Sequence, residues 1–435
     1  MQAHKSSFCT TLLIMKILFI MPGSGDAFYC GNCFRDNLQA SALRKAGQDV
    51  IVMPIYLPLK YASFQGDTPL FFPATTFYAA QMLFGVRKMP HWLERVTGSK
   101  KMLQMASSLS GTTSAEGMEK MTLSMITGDD PTFHIYINQL TDWIINHERP
   151  DVIHLSSSLL AGIAKVLRHR LSIPIVCSVQ DEELWIDSMK STFVGKAWQG
   201  IAENAGFIDQ FITTSVFYKN RIREKIPEIT HIEVIYPGVE RERYASSCYP
   251  SDPVIGFFNR LHKLYGLDIL AEAFVKLKGQ NRIRNLRLKI GGGYTGKDRR
   301  YLKKVKKILE PYRNDVEISH HYNPDEHAAF YRSISVIAVP VTFEEGVGLY
   351  LCEAFAAGRP AVEPATGSIP EIVGEAGIIY QPNDSDSLAE ALFQLLGDKE
   401  RYRQTVEKAK TLSESRYDEK TMADRLIDLY QGILS

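Results

Sequence analysis

Apolar residues fall into short runs along the whole chain, separated by longer stretches of a different period. In the first half the runs are KILFIM (16–21), DVIVMPI (49–55), DVIHLS (151–156), PIVCSV (174–179), QFITTS (210–215) and HIEVIYP (231–237). Between them lie segments such as LTDWIINHER (140–149) and SLLAGIAKVLRHR (158–170), whose apolar positions have helical spacing. Strands that are apolar at nearly every position are covered on both faces, and helices between them imply parallel pairing. The first half therefore predicts a doubly wound, Rossmann-like α/β unit. The pattern resumes later with PVIGFF (253–258), LRLKIGG (286–292), VEISH (316–320), VIAVPV (336–341), RPAVE (359–363) and GIIYQ (377–381), which predicts a second unit of the same kind.

Two segments break the alternation. Residues 57–130 carry Pro58, Pro69, Pro73, Pro90 and the polar patch SSLSGTTSAEG (107–117), and read as an insertion of loops and short helices. The stretch PGVERERYASSCYPSDP has three prolines and no periodicity, which marks a linker. The expected organisation is a first domain over 15–237 with the insertion 57–130, a second domain over 251–412, and a terminal helix within 413–435 that can cross back to the first domain. Met422, Leu426, Leu429, Tyr430 and Ile433 form the apolar face of that helix.

A chain of 435 residues with 45% hydrophobic and 23% charged content is long enough for two well-buried domains. Its 50 Lys and Arg nearly cancel its 49 Asp and Glu, so no whole-chain field selects nucleic acid or an acidic partner. The start, MQAHKSSFCTTLLIMKILFIMPGSG, superficially resembles a secretion signal. Lys16 interrupts its apolar stretch, and KILFIMPGSG reads better as a buried strand and its turn. Met15 is an alternative start that would leave 1–14 as a disordered leader. No apolar run reaches the roughly 18 residues of a membrane span, and the chain is expected to be cytoplasmic.

Several candidate motifs have simpler readings. GGGYTGKD (291–298) nearly spells a phosphate-binding loop, but Asp298 stands where a hydroxyl would bind magnesium, and a carboxylate there repels phosphate. A glycine-rich strand-to-helix turn explains it. The helix that follows, RRYLKKVKK, is strongly basic; Leu302, Val305, Ile308 and Leu309 form its apolar side. The economical reading is a solvated face, the alternative a patch for an acidic acceptor or a membrane surface, which would allow weak peripheral contact with the inner membrane face. Asp384-Ser-Asp386 resembles a metal-binding pair but lies where a helix cap belongs. Cys30-x-x-Cys33 lacks a second close Cys or His pair beyond the loose group His320, His321 and His327, so structural zinc is disfavoured and thiol exchange stays a minor reading.

The informative segment is TFEEGVGLYLCEAFAAGRPAVEPATGSIPEIVGEAGIIYQPNDSDSLAEAL (342–392). Gly346 and Gly348 permit a tight turn, LYLCEAFAA can form a short helix, and Gly358 with Pro360 ends it. Helix-start amides attract phosphate, and Glu345 and Glu353, eight positions apart, can address different parts of one extended ligand. Glu345, Gly348 and Glu353, followed by AFAAGRP and SIPEIV, closely resemble the signature of retaining glycosyltransferases of the GT-B fold, glycosyltransferase family 4. IGFFNRLHKLYGLDILAEAF (255–274) resembles that family's Gly-Arg-Leu segment, and VIYPGVE precedes it. The resemblance covers residues 15–434 and is looser in the N-terminal half.

The resemblance implies two Rossmann-like domains facing across a cleft, the first holding the acceptor and the second a nucleotide diphosphate sugar. Sugar transfer to an acceptor hydroxyl, of a glycan, lipid or other molecule, would retain the anomeric configuration without cofactor or metal. Glu345 would hold the donor sugar, Glu353 the ribose hydroxyls, and amides around Gly346, Gly348 and Leu349 the sugar and phosphates. Arg260 would take the pyrophosphate. Two positions depart from the family: Tyr265 replaces its usual Lys, so Lys263 is the substitute candidate, and Gln180, beside Asp181 in the cleft, replaces a common His. These departures keep open a catalytically weak or inactive sugar-nucleotide binder, and a nucleotide-sugar epimerase or phosphorylase is a further alternative. The loop after the first strand in this family approaches the cleft, so Gly23, Gly25 and Gly31 would let substrate come close.

Overall fold

The computed structural model describes residues 14–22, 31–55, 117–245, 250–319 and 324–435. Among the described residues, twelve strands form two six-stranded, fully parallel sheets. The first contains β1 (Lys16–Met21), β2 (Asp49–Pro54), β3 (Val152–Leu155), β4 (Ile175–Val179), β5 (Gln210–Thr213) and β6 (Ile232–Val234), in the order β2-β1-β3-β4-β5-β6. The second contains β7 (Val254–Phe258), β8 (Arg287–Gly291), β9 (Val316–Ser319), β10 (Val336–Ile337), β11 (Ala361–Pro364) and β12 (Gly377–Tyr380), in the order β12-β11-β10-β7-β8-β9. Each expected strand is present. Strands β1, β3 and β4 are buried at nearly every position, because helices cover both faces of the sheet.

In such sheets ligands gather beyond the carboxyl ends of the strands, near the point where strand order reverses. The loops after β4, β5, β7 and β10 therefore set the site.

Helix Glu419–Leu434 crosses back to the first sheet. Its Met422, Leu426, Ile427 and Tyr430 pack with Ile17, Phe19, Val152, Val176 and Ile212 in one buried cluster. Tyr430 Oη lies 2.7 Å from His154 Nδ1, and Ser178 Oγ lies 2.8 Å from His154 Nε2. Burial pushes His154 down to about 3, so the ring is neutral and works as a buried cross-tie. The crossing begins where Val239 pairs with Asp418; Val239 N–H donates to Tyr417 O at 2.9 Å, and Gly238 leaves no room for a side chain against the Asp418 backbone.

Two expectations need adjusting. The end of the supposed insertion is helix Glu119–Thr127, whose Met121, Met125 and Ile126 belong to the first domain's core; residues 57–116 lie outside the described residues. Part of the supposed linker is also packed, since Tyr244 of the short helix Arg241–Tyr244 is buried in the second domain's core.

Candidate functional site

Glu345 sits in the loop between β10 and helix Leu349–Ala356. Gly348 is the helix N-cap with φ 60°, a left-handed conformation that glycine adopts without steric cost. This turn lets Glu345 Oε1 accept from the amides of Val347 and Gly348, each at 3.2 Å. Burial raises the carboxyl's pKa, and those two amides pull it back.

The next residue is tied to the other domain through both of its peptide groups. Gly346 N–H donates to Asp181 Oδ1 at 2.9 Å, and Gly346 O accepts from Thr214 Oγ1 and Ser215 Oγ, each at 3.0 Å. A Cβ at Gly346 would run into the Asp181 carboxylate, so only glycine fits this approach. The sequence assigned the amides of Gly346 and Gly348 to a donor; in this structure the first is taken by Asp181 and the second by Glu345.

The first domain's wall is acidic. Asp181, at φ 51° and the second residue after β4, is pushed well above the usual carboxylate range by burial and by the charges of Glu345, Glu183 and Glu182. Tyr218 Oη lies 2.8 Å from Glu182 Oε2 and 2.6 Å from Glu183 Oε2. A phenol has one proton to donate, so both contacts are hydrogen bonds only when one carboxyl is protonated. Burial pushes Glu182 up to about 7, in accord with that geometry. Gln180 is buried, and its Oε1 has no hydrogen-bond partner among the described residues. A cavity of about 240 Å³ opens beside this wall, lined by Asp181, Glu183, Tyr218 and Arg221 from the first domain and Phe343 and Glu344 from the second.

A further cross-domain contact was not legible in the sequence. Glu371, inside SIPEIV, accepts from the Val216 and Phe217 amides at 2.8 and 2.9 Å and from Tyr236 Oη at 2.7 Å. It thus caps helix Val216–Lys225 of the other domain, alongside that helix's own cap, Ser215. The serine was readable as a cap signal. The glutamate was not, because its partners are 154 and 155 residues away.

Glu353, expected at the ribose hydroxyls, is enclosed by protein groups. It is 0% exposed, Tyr244 Oη donates to its Oε1 at 3.1 Å, Tyr331 Oη donates to its Oε2 at 2.6 Å, and His327 Nε2 lies 3.3 Å from Oε2. Each oxygen has a partner from the protein, and the carboxylate is out of contact with solvent in this arrangement. His327 of the loose histidine group is thereby accounted for, while His320 and His321 lie outside the described residues.

Arg260 follows β7 and is 4% exposed, with Nη2 3.8 Å from Asp298 Oδ2. Asp298 closes a capping box: its Oδ2 accepts from Thr295 N at 2.8 Å and Oγ1 at 2.7 Å. The near-phosphate loop is therefore a capped turn, with its carboxylate facing Arg260. Lys263 is exposed, and Tyr265 packs edge-on against Phe343 with ring centroids 5.6 Å apart. Thr342 N–H donates to Leu264 O at 2.8 Å, so the loop carrying Arg260 and the loop carrying Glu345 adjoin. Asp384 caps helix Ser385–Leu396 by accepting from Asp386 and Ser387 amides. Gly23, Gly25 and Cys30 lie outside the described residues; Gly31 and Cys33 are in the first turn of helix Gly31–Lys45.

Residues 252–398 match the family of glycosyl transferases group 1, and residues 126–243 match Glycosyltransferase Family 4. A D-inositol 3-phosphate glycosyltransferase of Corynebacterium aurimucosum is 26% identical over 281 residues, covering 57% of this chain and 64% of that protein. The corresponding protein of Corynebacterium urealyticum is 31% identical over 214 residues, 46% of this chain and 49% of that one. The matched region thus spans less than two thirds of these relatives. Among solved structures, sucrose-phosphate synthase of Thermosynechococcus elongatus superposes with a TM-score of 0.67 at 15% identity, covering 96% of this chain and 99% of that one. Anabaena HepE in complex with UDP gives 0.65 at 16% identity, covering 96% and 100%. Two parallel sheets meeting at a glycine between them, family matches in both halves and whole-length similarity to these structures agree: the chain belongs to glycosyltransferase family 4 and has the GT-B fold.

Proposed function

We propose that the protein is a retaining glycosyltransferase that moves a sugar from a nucleotide diphosphate carrier to an acceptor hydroxyl. The observation that carries this reading is the placement of Glu345: a buried carboxylate at the start of a helix, on a loop bound through Gly346 to the facing domain and adjoining the loop of Arg260. As the bond from the anomeric carbon to phosphate oxygen breaks, negative charge grows on the leaving diphosphate, and the Arg260 guanidinium is suited to it. The acceptor oxygen would attack from the leaving group's face, its proton passing to the departing phosphate. Glu345 would accept from donor-sugar hydroxyls as positive charge develops on the ring. Ribose recognition by Glu353 would require Tyr244 to give up its hydrogen bond.

A second reading, a sugar-nucleotide binder with weak or no turnover, is favoured by Tyr265 packed on Phe343 where the family has Lys, and by Gln180, which cannot take a proton. A panel of nucleotide diphosphate sugars, tested by thermal unfolding and calorimetry and then for turnover, separates the two. A true donor at a hundredfold excess over its Kd stabilises by about 2.7 kcal/mol. Binding with product formation supports transfer, binding without it on any acceptor supports the binder, and no binding overturns both.

A further inference from the structure

We propose that helix Arg299–Leu309 is a docking surface for an anionic phospholipid bilayer. Leu302, Val305 and Leu309 are buried, and Arg299, Arg300, Lys303, Lys304, Lys306 and Lys307 are exposed, with Lys297 exposed just before them. The helix has no acidic residue.

This arrangement is unfavourable for the isolated helix. Arg299 and Arg300 place positive charge at the end of the helix dipole that is already positive. Arg299 with Lys303, Arg300 with Lys304, and Lys303 with Lys307 are like charges four apart, which repel. Lys304 has a counter-charge, Asp268, at 3.2 Å. Lys297, Arg299, Arg300, Lys303 and Lys307 have no ion pair among the described residues. Helix Lys399–Ser415 shows a contrast: its five cations share the helix with Glu400, Glu407 and Glu414, and Arg403–Glu400 and Lys410–Glu407 pair at 3.0 and 2.9 Å. Helix Arg299–Leu309 carries six cations and no acidic residue of its own to answer them.

The chemistry favours a lipid surface over nucleic acid. The helix is about 16 Å long and carries no Asn or Gln to pair with adenine edges. Its single aromatic residue, Tyr301, is half-buried and hydrogen-bonded to Asp268, so nothing is offered for base stacking. What remains is a convex row of cations without an exposed large apolar side chain, suited to the diffuse negative charge of phospholipid headgroups. The helix begins directly after the turn whose Asp298 faces Arg260, so docking would set this rim of the site beside the bilayer.

The test uses the full chain without any donor, so its outcome is separate from that of the transfer reading. Co-sedimentation is measured with phosphatidylglycerol-containing vesicles, with pure phosphatidylcholine vesicles and against a competing DNA duplex, for wild type and for the triple variant Arg299→Gln, Lys303→Gln, Lys307→Gln. The expected result is binding to anionic vesicles alone, weakened by salt and reduced about a hundredfold in the variant, near fivefold per cation. The variant's melting temperature is expected to be unchanged or raised, because like charges have been removed. No binding to anionic vesicles, equal binding to neutral ones, undiminished binding by a folded variant, or displacement by the duplex overturns the proposal.

Discussion

Glu345 and Glu353 are eight positions apart in one signature, yet they occupy opposite environments. Glu345 is held by two backbone amides beside a junction of two domains, next to an acidic wall and a cavity. Glu353 is enclosed by two phenols and an imidazole within one domain. Sequence spacing across a loop and a helix start sets how near two side chains lie along the chain, but it does not decide what closes over each of them. Glu345 is buried with amide donors at the junction of the two domains. Burial with tyrosine hydroxyls makes Glu353 a structural anchor in this state.

The sharpest way to break this contrast is Glu353→Ala, which would leave the Tyr244 and Tyr331 hydroxyls buried without their acceptor. It is expected to cost about 4 kcal/mol, read as a lowered denaturant midpoint; a loss under about 1 kcal/mol would show that the carboxylate is not an anchor. The Glu345 side has its own pH signature through Glu182. Because folding raises that carboxyl from 4.5 to about 7, its contribution is whole below pH 4.5 and is lost as pH rises through 7. The loss is on the order of 3 kcal/mol, and Glu182→Gln should flatten the stability profile over that window. An unchanged slope in the variant would assign it elsewhere.

For Glu345→Ala the expected signature is catalytic: transfer falling about a hundredfold, or about 2.7 kcal/mol in barrier, with a smaller change in stability. Wild-type turnover by that variant would remove Glu345 from the reaction. The mildest probe is Tyr244→Phe, expected to cost about 1 kcal/mol while freeing Glu353 Oε1, so that nucleotide affinity rises if ribose competes for that oxygen. An unchanged nucleotide Kd would show that the tyrosine does not guard it.

Much of the architecture was legible before any coordinates. The strands could be read because a parallel strand buried on both faces is apolar at almost every position, as in KILFIM and PIVCSV. The terminal helix could be read from the spacing of Met422, Leu426 and Tyr430. Helix Glu119–Thr127 was hidden because it follows a polar, proline-containing stretch, and its methionines gain their role only by packing against helices distant in sequence.

By itself the sequence determined two doubly wound units, the loop that places Glu345 before a helix, and the glycine-rich strand-to-helix turn at 291–298, since each rests on short-range periodicity or on turn residues a few positions apart. Only the tertiary structure decided that Gly346 is clasped by Asp181, Thr214 and Ser215, that Glu371 caps a helix of the other domain, and that phenols seal Glu353. Most of those contacts join residues more than a hundred positions apart. Those at Gly346 and Glu371 arise from how the two domains meet, those at Glu353 from packing within the second domain, and no local pattern of hydrophobic and polar residues encodes either.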